Sequence, residues 1–155
     1  MLIFTLLAAS SVNTRGQEQV TTIDHGSMTE SVKSPTSQAE PLDLHGQMLA
    51  GKRFKKGKLK GANLRGAMLV GADFRGANLE YADLGGAMML GADLSGANLM
   101  NANFKEANLL GAHLDGARIE GTNFHKTAYL TQDQLDDACG KPRALPEGLK
   151  APKAC

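Results

Sequence analysis

From Leu44 to Tyr129 a large apolar residue stands at every fifth position, eighteen in all: Leu44, Leu49, Phe54, Leu59, Leu64 and onward to Phe124 and Tyr129. Two residues before each, from Ala62 to Ala117, the chain places alanine without a break. A helix repeats every 3.6 residues and a plain strand every two, so a strict five belongs to neither and marks a repeat architecture. In one unit, Gly61-Ala62-Asn63-Leu64-Arg65, the alanine and leucine are two apart. In extended chain they face one way, while Asn63 and Arg65 face the other. The remaining position is usually glycine, which accepts the positive φ of a tight corner. Each unit is therefore a very short strand and a corner, with one small and one large residue facing inward.

The outward positions set the number of units per coil. The residue after the central one is apolar at Ala50, Val70, Leu90, Leu110 and Leu130, and Met100 alone departs from that spacing of twenty. The residue before it is apolar at Met48, Met68, Met88 and Ala128, on the same units. Phe54 and Phe74, and Phe104 and Phe124, are also twenty apart. Four units per coil and a square cross-section follow.

The stretches Ala72-Asp73-Phe74, Ala77-Asn78-Leu79, Ala92-Asp93-Leu94 and Ala97-Asn98-Leu99 resemble the pentapeptide repeat family, whose unit is Ala-Asp/Asn-Leu-x-x. The resemblance covers about residues 42 to 131. It implies an all-β fold, a right-handed quadrilateral parallel β-helix (solenoid) of four five-residue units per coil. Four and a half coils at strand spacing make a rod roughly 20 Å tall. In the first coil Leu42, Gln47, Lys52 and Gly57 hold the small inward position, and a lysine does not fit a closed core. That coil is expected to be the open or capped end.

Outside the repeats, the segment 1–11 reads as the apolar part of a secretory signal, without the usual preceding basic residues and too short to span a bilayer. Residues 12–41, rich in Ser, Thr, Gln and Glu, read as a flexible linker. Residues 132–155 read as a capping tail, with a short helix begun by an Asp or Thr cap and stopped by Gly140. Similar tails end many exported bacterial members of the family. Cys139 and Cys155 are the only cysteines. In an exported chain they would form one disulfide, in a cytosolic one two free thiols, and the signal-like start and Pro-rich tail favour the first. Periplasmic or secreted localisation is expected, or cytoplasmic if the start is not functional.

Composition narrows function less. The formal net charge of the chain is +1. Some family members mimic duplex DNA and bind type II topoisomerases, which needs an acidic rod. Residues 42–131 carry eleven bases against eight acids. The mimic reading is therefore the alternative rather than the leading one. The strip Met48, Ala50, Met68, Val70, Met88, Leu90, Leu110 and Leu130 falls on one outer side and marks a contact surface for a protein partner, a second copy, or the chain's own linker or tail. The basic residues Arg53, Lys55, Lys58 and Lys60 could hold phosphates of a lipid or nucleic acid, with no aromatic platform for bases beside them. A solubilising end guard accounts for them more simply, which leaves nucleic acid disfavoured and a membrane surface a weak alternative. Folding the repeat also brings Asp93 beside His113 and Ser95 beside Asp115. That composition suits a hydrolase, but a flat side offers neither cleft nor oxyanion donors. His25, His45 and His125 show no metal spacing. A non-enzymatic interaction or scaffold module is expected, with no cofactor and no small-molecule substrate.

Overall fold

The corner chemistry builds the whole coil. In the computed structural model, which describes residues 40–152, Gly66 sits at φ 61°. It is the third residue of a β-turn closed by Ala67 N–H donating to the Leu64 carbonyl at 3.1 Å. A positive φ at that place is what a type II turn demands. The same geometry recurs every five residues, including where no glycine is present, at Lys56, Tyr81, Asn101, Glu106 and Lys126. Between corners each unit is extended for three residues. The middle one makes a parallel bridge to the residue twenty ahead, as in Asn63 to Asp83 and Met68 to Met88. Leu64 N–H donates to the Asp83 carbonyl at 2.7 Å, and Asp83 N–H to the Ala62 carbonyl at 2.9 Å. Every ladder step is a single isolated bridge, so among the described residues no side carries a strand or sheet of ordinary length.

The bridges define four sides. In chain order they are headed by Asp43, Met48, Arg53 and Lys58, each column rising by twenty residues per coil. The first coil spans residues 42–61. Inside, Ala62 to Ala117 and the large residues from Leu59 to Phe124 are buried. Phe54 and Phe74 stack with centroids 4.8 Å apart, and Phe104 and Phe124 lie at 5.3 Å. Where alanine gives way to Thr122 and Thr127, each buried hydroxyl donates to a carbonyl of the coil below, Leu99 at 2.8 Å and Phe104 at 2.9 Å. A buried hydroxyl without such a partner would be costly.

The repeat ends earlier than the sequence pattern suggests, and two expectations are corrected. After Ala128 bridges Asn108, Tyr129 takes a left-handed conformation at φ 59°, two residues ahead of the next corner in the five-residue series. Tyr129, expected in the core, is thereby turned out and 61% exposed. Leu130, expected on the outer strip, is turned in and 8% exposed. The early turn delivers Thr131 as cap of α1 (Gln132–Asp136), in a capping box with Gln134. The Gln134 amide Nε2 donates at 2.7 Å to the Ala112 carbonyl, which a further coil would otherwise meet, and at 3.0 Å to the Leu109 carbonyl, which also accepts from Ala112 N–H in its own turn. Leu135 and Ala138 cover the core beneath. Cys139 then bridges Arg118 and Ala144 bridges Asn123, so the tail continues two sides of the coil at an offset of twenty-one. Gly140 does not stop the helix, which ends at Asp136. It lies against Glu120, where a Cβ would come within 2.8 Å of a backbone nitrogen.

At the opposite end no described residue caps the first coil. Leu42 is 48% exposed, Leu44, Leu49 and Phe54 are half-buried, and Lys52 is exposed despite its inward register. Among the described residues no helix is long and apolar enough to cross a membrane. The signal-like segment 1–11, almost all of the linker 12–41, His25 and Cys155 lie outside the described residues.

Candidate interaction surface

Three sides share a local rule. At most bridge positions an Asp or Asn side-chain oxygen accepts from the backbone N–H two residues on. Asp73 does so to Arg75 at 3.1 Å, Asn78 to Glu80 at 3.1 Å and Asn103 to Lys105 at 3.2 Å. Short polar side chains offer this bond at little entropic cost. The amides also form ladders between coils, Asn103 Nδ2 to Asp83 at 2.9 Å and Asn123 Nδ2 to Asn103 at 3.1 Å.

The second side abandons the rule. Met48, Met68 and Met88 occupy its bridge positions, and a thioether is a poor acceptor for the N–H two residues on. Only in the fourth coil does Asn108 restore the bond, to Leu110 at 3.1 Å. What this side shows instead is apolar surface. Met48 is 77% exposed, Met88 44% and Leu110 48%. Ala50 and Val70 are also exposed, while Met68 and Leu90 are half-buried. Leu130 has left the strip for the core, as described above.

On the charged third side, Asp73 and Asp93 are paired with Arg75. Arg75 makes two bonds to Asp73, Nε at 2.9 Å and Nη2 at 2.7 Å, and its Nε lies 3.5 Å from Asp93. The Arg75 hydrogen bonds hold the Asp73 carboxyl down at about 2. Asp93 is lowered too: the hydrogen bonds from Ser95 and the charges of Arg75 and His113 outweigh a burial that acts to raise it. The Ser95 hydroxyl donates to Asp93. His113 instead meets Asp115, at 3.8 Å, with both side chains exposed. No bond joins serine to histidine, so the residues singled out for hydrolysis do not form a nucleophile–base pair. A cavity of about 490 Å³ lies elsewhere, against the tail, lined by Gln132, Asp136 and Leu149 among others. Among the described residues no three His, Cys, Asp or Glu side chains group to hold a metal ion.

Of the basic residues, Lys60 is committed locally, 3.0 Å from Glu80 and over the Tyr81 ring. Arg53, Lys55 and Lys58 are exposed and form no ion pair among the described residues. Cys139 is half-buried in the column above Arg118. Sequence reading overlooked Gln134 and the two buried threonines. Thr122 and Thr127 were visible as breaks in the alanine series, whereas nothing in the local pattern marks the reach of Gln134.

A stack of five-residue corners presenting flat sides is a repeat solenoid, a class that acts through its outer surfaces. A family model for pentapeptide repeats matches residues 58–96 and 97–128, in 8 copies. Among solved structures, a pentapeptide repeat protein from the Arabidopsis thaliana thylakoid lumen is 32% identical, covering 62% of this chain and 79% of that chain at a TM-score of 0.51. A pentapeptide repeat protein from Nostoc Pcc 7120 is 34% identical, covering 64% of this chain and 84% of that chain at a TM-score of 0.43. No curated protein matches. The chain belongs to the pentapeptide repeat family, whose members are generally non-enzymatic structural or interaction modules. The family match starts at residue 58, after the part of the first coil where Leu42, Gln47 and Lys52 replace alanine.

Proposed function

We propose that this chain is a non-enzymatic protein-binding module. It is wound as the right-handed quadrilateral β-helix of its family, and its methionine side is the contact surface. One observation carries the reading. Met48, Met68 and Met88 stand where the other sides place acceptors for a backbone N–H, and each such bond is worth about 1 kcal/mol. Coil stacking gains nothing from the exchange, because these side chains point away from the core. Exposed apolar surface gains free energy when a protein covers it, and methionine adapts to irregular partners.

Replacing Met68 and Met88 with lysine tests this, since neither faces inward and the coil should remain folded by circular dichroism. Sedimentation that shows lost self-association identifies a second copy as the occupant. An unchanged monomer that loses a protein captured by the wild type identifies a separate partner. Greater protease sensitivity of an unchanged monomer points to cover by the chain's own residues outside 40–152. If none of these changes, the surface has no binding role.

The topoisomerase alternative gains no support from charge. Residues 42–131 hold more bases than acids, and Asp73, Asp83 and Asp93 already face Arg75 or Arg65. Export remains part of the proposal, with 1–11 as a signal-like segment, 12–41 as linker, 42–131 as the β-helix and 132–155 as cap. A Cys139–Cys155 disulfide belongs with it. No cysteine among the described residues is free, which is in keeping with that pairing.

A further inference from the structure

The open N-terminal end combines two properties found nowhere else on the rod. The first is exposed core. Leu44, Leu49 and Phe54 are half-buried and Leu42 is 48% exposed, while Leu64, Leu69 and Phe74, one coil above, are fully buried. The backbone N–H groups of Asp43, Met48, Arg53 and Lys58 also face away from the stack, and among the described residues none has a backbone acceptor.

The second property is charge. Residues 42–61 carry six bases and one acid, whereas residues 62–131 carry five bases and seven acids. Arg53 and Lys55 lie on the third side, Lys58 and Lys60 on the fourth, and Lys56 at the corner between, so the charge is gathered about one edge of the open end. An apolar end flanked by cations, of which Arg53, Lys55 and Lys58 form no ion pair among the described residues, matches the layered chemistry of a bilayer surface: acyl chains for the apolar centre, phosphate oxygens around it.

We propose that this end docks on an anionic lipid bilayer, tilted toward the Lys56 corner, leaving the methionine side clear of the membrane. A nucleic acid duplex is the poorer fit. It would leave Leu42 in water, and the exposed Tyr81 ring beside the basic edge is already engaged by Lys60.

Co-sedimentation of the full chain with vesicles tests the proposal. Binding is expected to phosphatidylcholine vesicles containing phosphatidylserine and not to pure phosphatidylcholine, weakening as salt screens the lysines. Each lysine near an anionic surface contributes about fivefold in affinity, so Lys55→Gln with Lys58→Gln should weaken binding about twenty-five-fold. Both residues are exposed, and circular dichroism should show an unchanged fold. Equal binding to both vesicle types, no binding to either, or binding that survives the double substitution overturns the proposal. So does displacement from vesicles by duplex DNA, which would assign the basic edge to nucleic acid instead.

Discussion

Leu44, Leu64 and Leu84 hold the same place in successive coils, behind bridge residues Asp43, Asn63 and Asp83, yet their surroundings differ. Leu84 is fully buried, with Leu64 one coil below and Phe104 one coil above, and the small Ala82 and Ala87 beside it. Leu84→Ala removes three carbon atoms there. The backbone cannot close over the void without breaking the Leu84 N–H bond to Asn103 at 2.8 Å and its neighbours. With little collapse available, the loss belongs near the upper part of the range for buried leucines, about 3–5 kcal/mol. Leu44 has a packed coil on one face only and is half-buried. Leu44→Ala forfeits about half the contact and creates no enclosed cavity, so about 1 kcal/mol is expected. Urea titrations of both variants, read with a common m-value, measure the contrast. Equal losses at the two positions would refute the open end, since they would require Leu44 to be covered as completely as Leu84.

Glu106 holds the left-handed corner at φ 61° without being glycine. Glu106→Gly should raise stability by up to about 1 kcal/mol in thermal melts, the relief of the left-handed conformation outweighing the added freedom of the unfolded chain. Asp73 is lowered from 3.8 to about 2 by Arg75. Its contribution to stability is therefore present above pH 4 and lost as pH falls from about 4 to 2. The stability gap between wild type and Arg75→Gln should narrow over that window, and a gap independent of pH would remove the pair from the account. Non-reducing peptide mapping of protein from its native compartment should recover a Cys139–Cys155 pair, and free thiols at both positions in exported material would eliminate it.

The coil was legible because a strict five-residue period leaves the backbone few choices. Once four units are seen to share a period of twenty, each outward residue has a side and each inward one a ladder. The end of the repeat was not legible. Tyr129 and Leu130 continue the large-apolar series without a visible fault, and what reverses them is a left-handed turn at a tyrosine, two residues early. Composition does not encode that turn, whose outcome is that Thr131 caps α1 and Gln134 reaches the carbonyls of Leu109 and Ala112. The methionine side was readable as a strip. Its contrast with the Asp and Asn sides became physical only when the side-chain bonds to the backbone N–H groups were seen to be missing at Met48, Met68 and Met88.

The twenty-residue bridge spacing makes the length of this molecule and the bearing of its parts separate variables. Adding one whole coil would lengthen the rod and return every column to its own bearing, so the basic edge would keep its angle to the methionine side. Adding a single unit would swing everything beyond it by a quarter turn, and two units by a half turn. The angle between the basic edge and the methionine side is thus set by counting residues. Insertions in multiples of twenty would alter length alone, and any smaller multiple of five would turn one surface relative to the other.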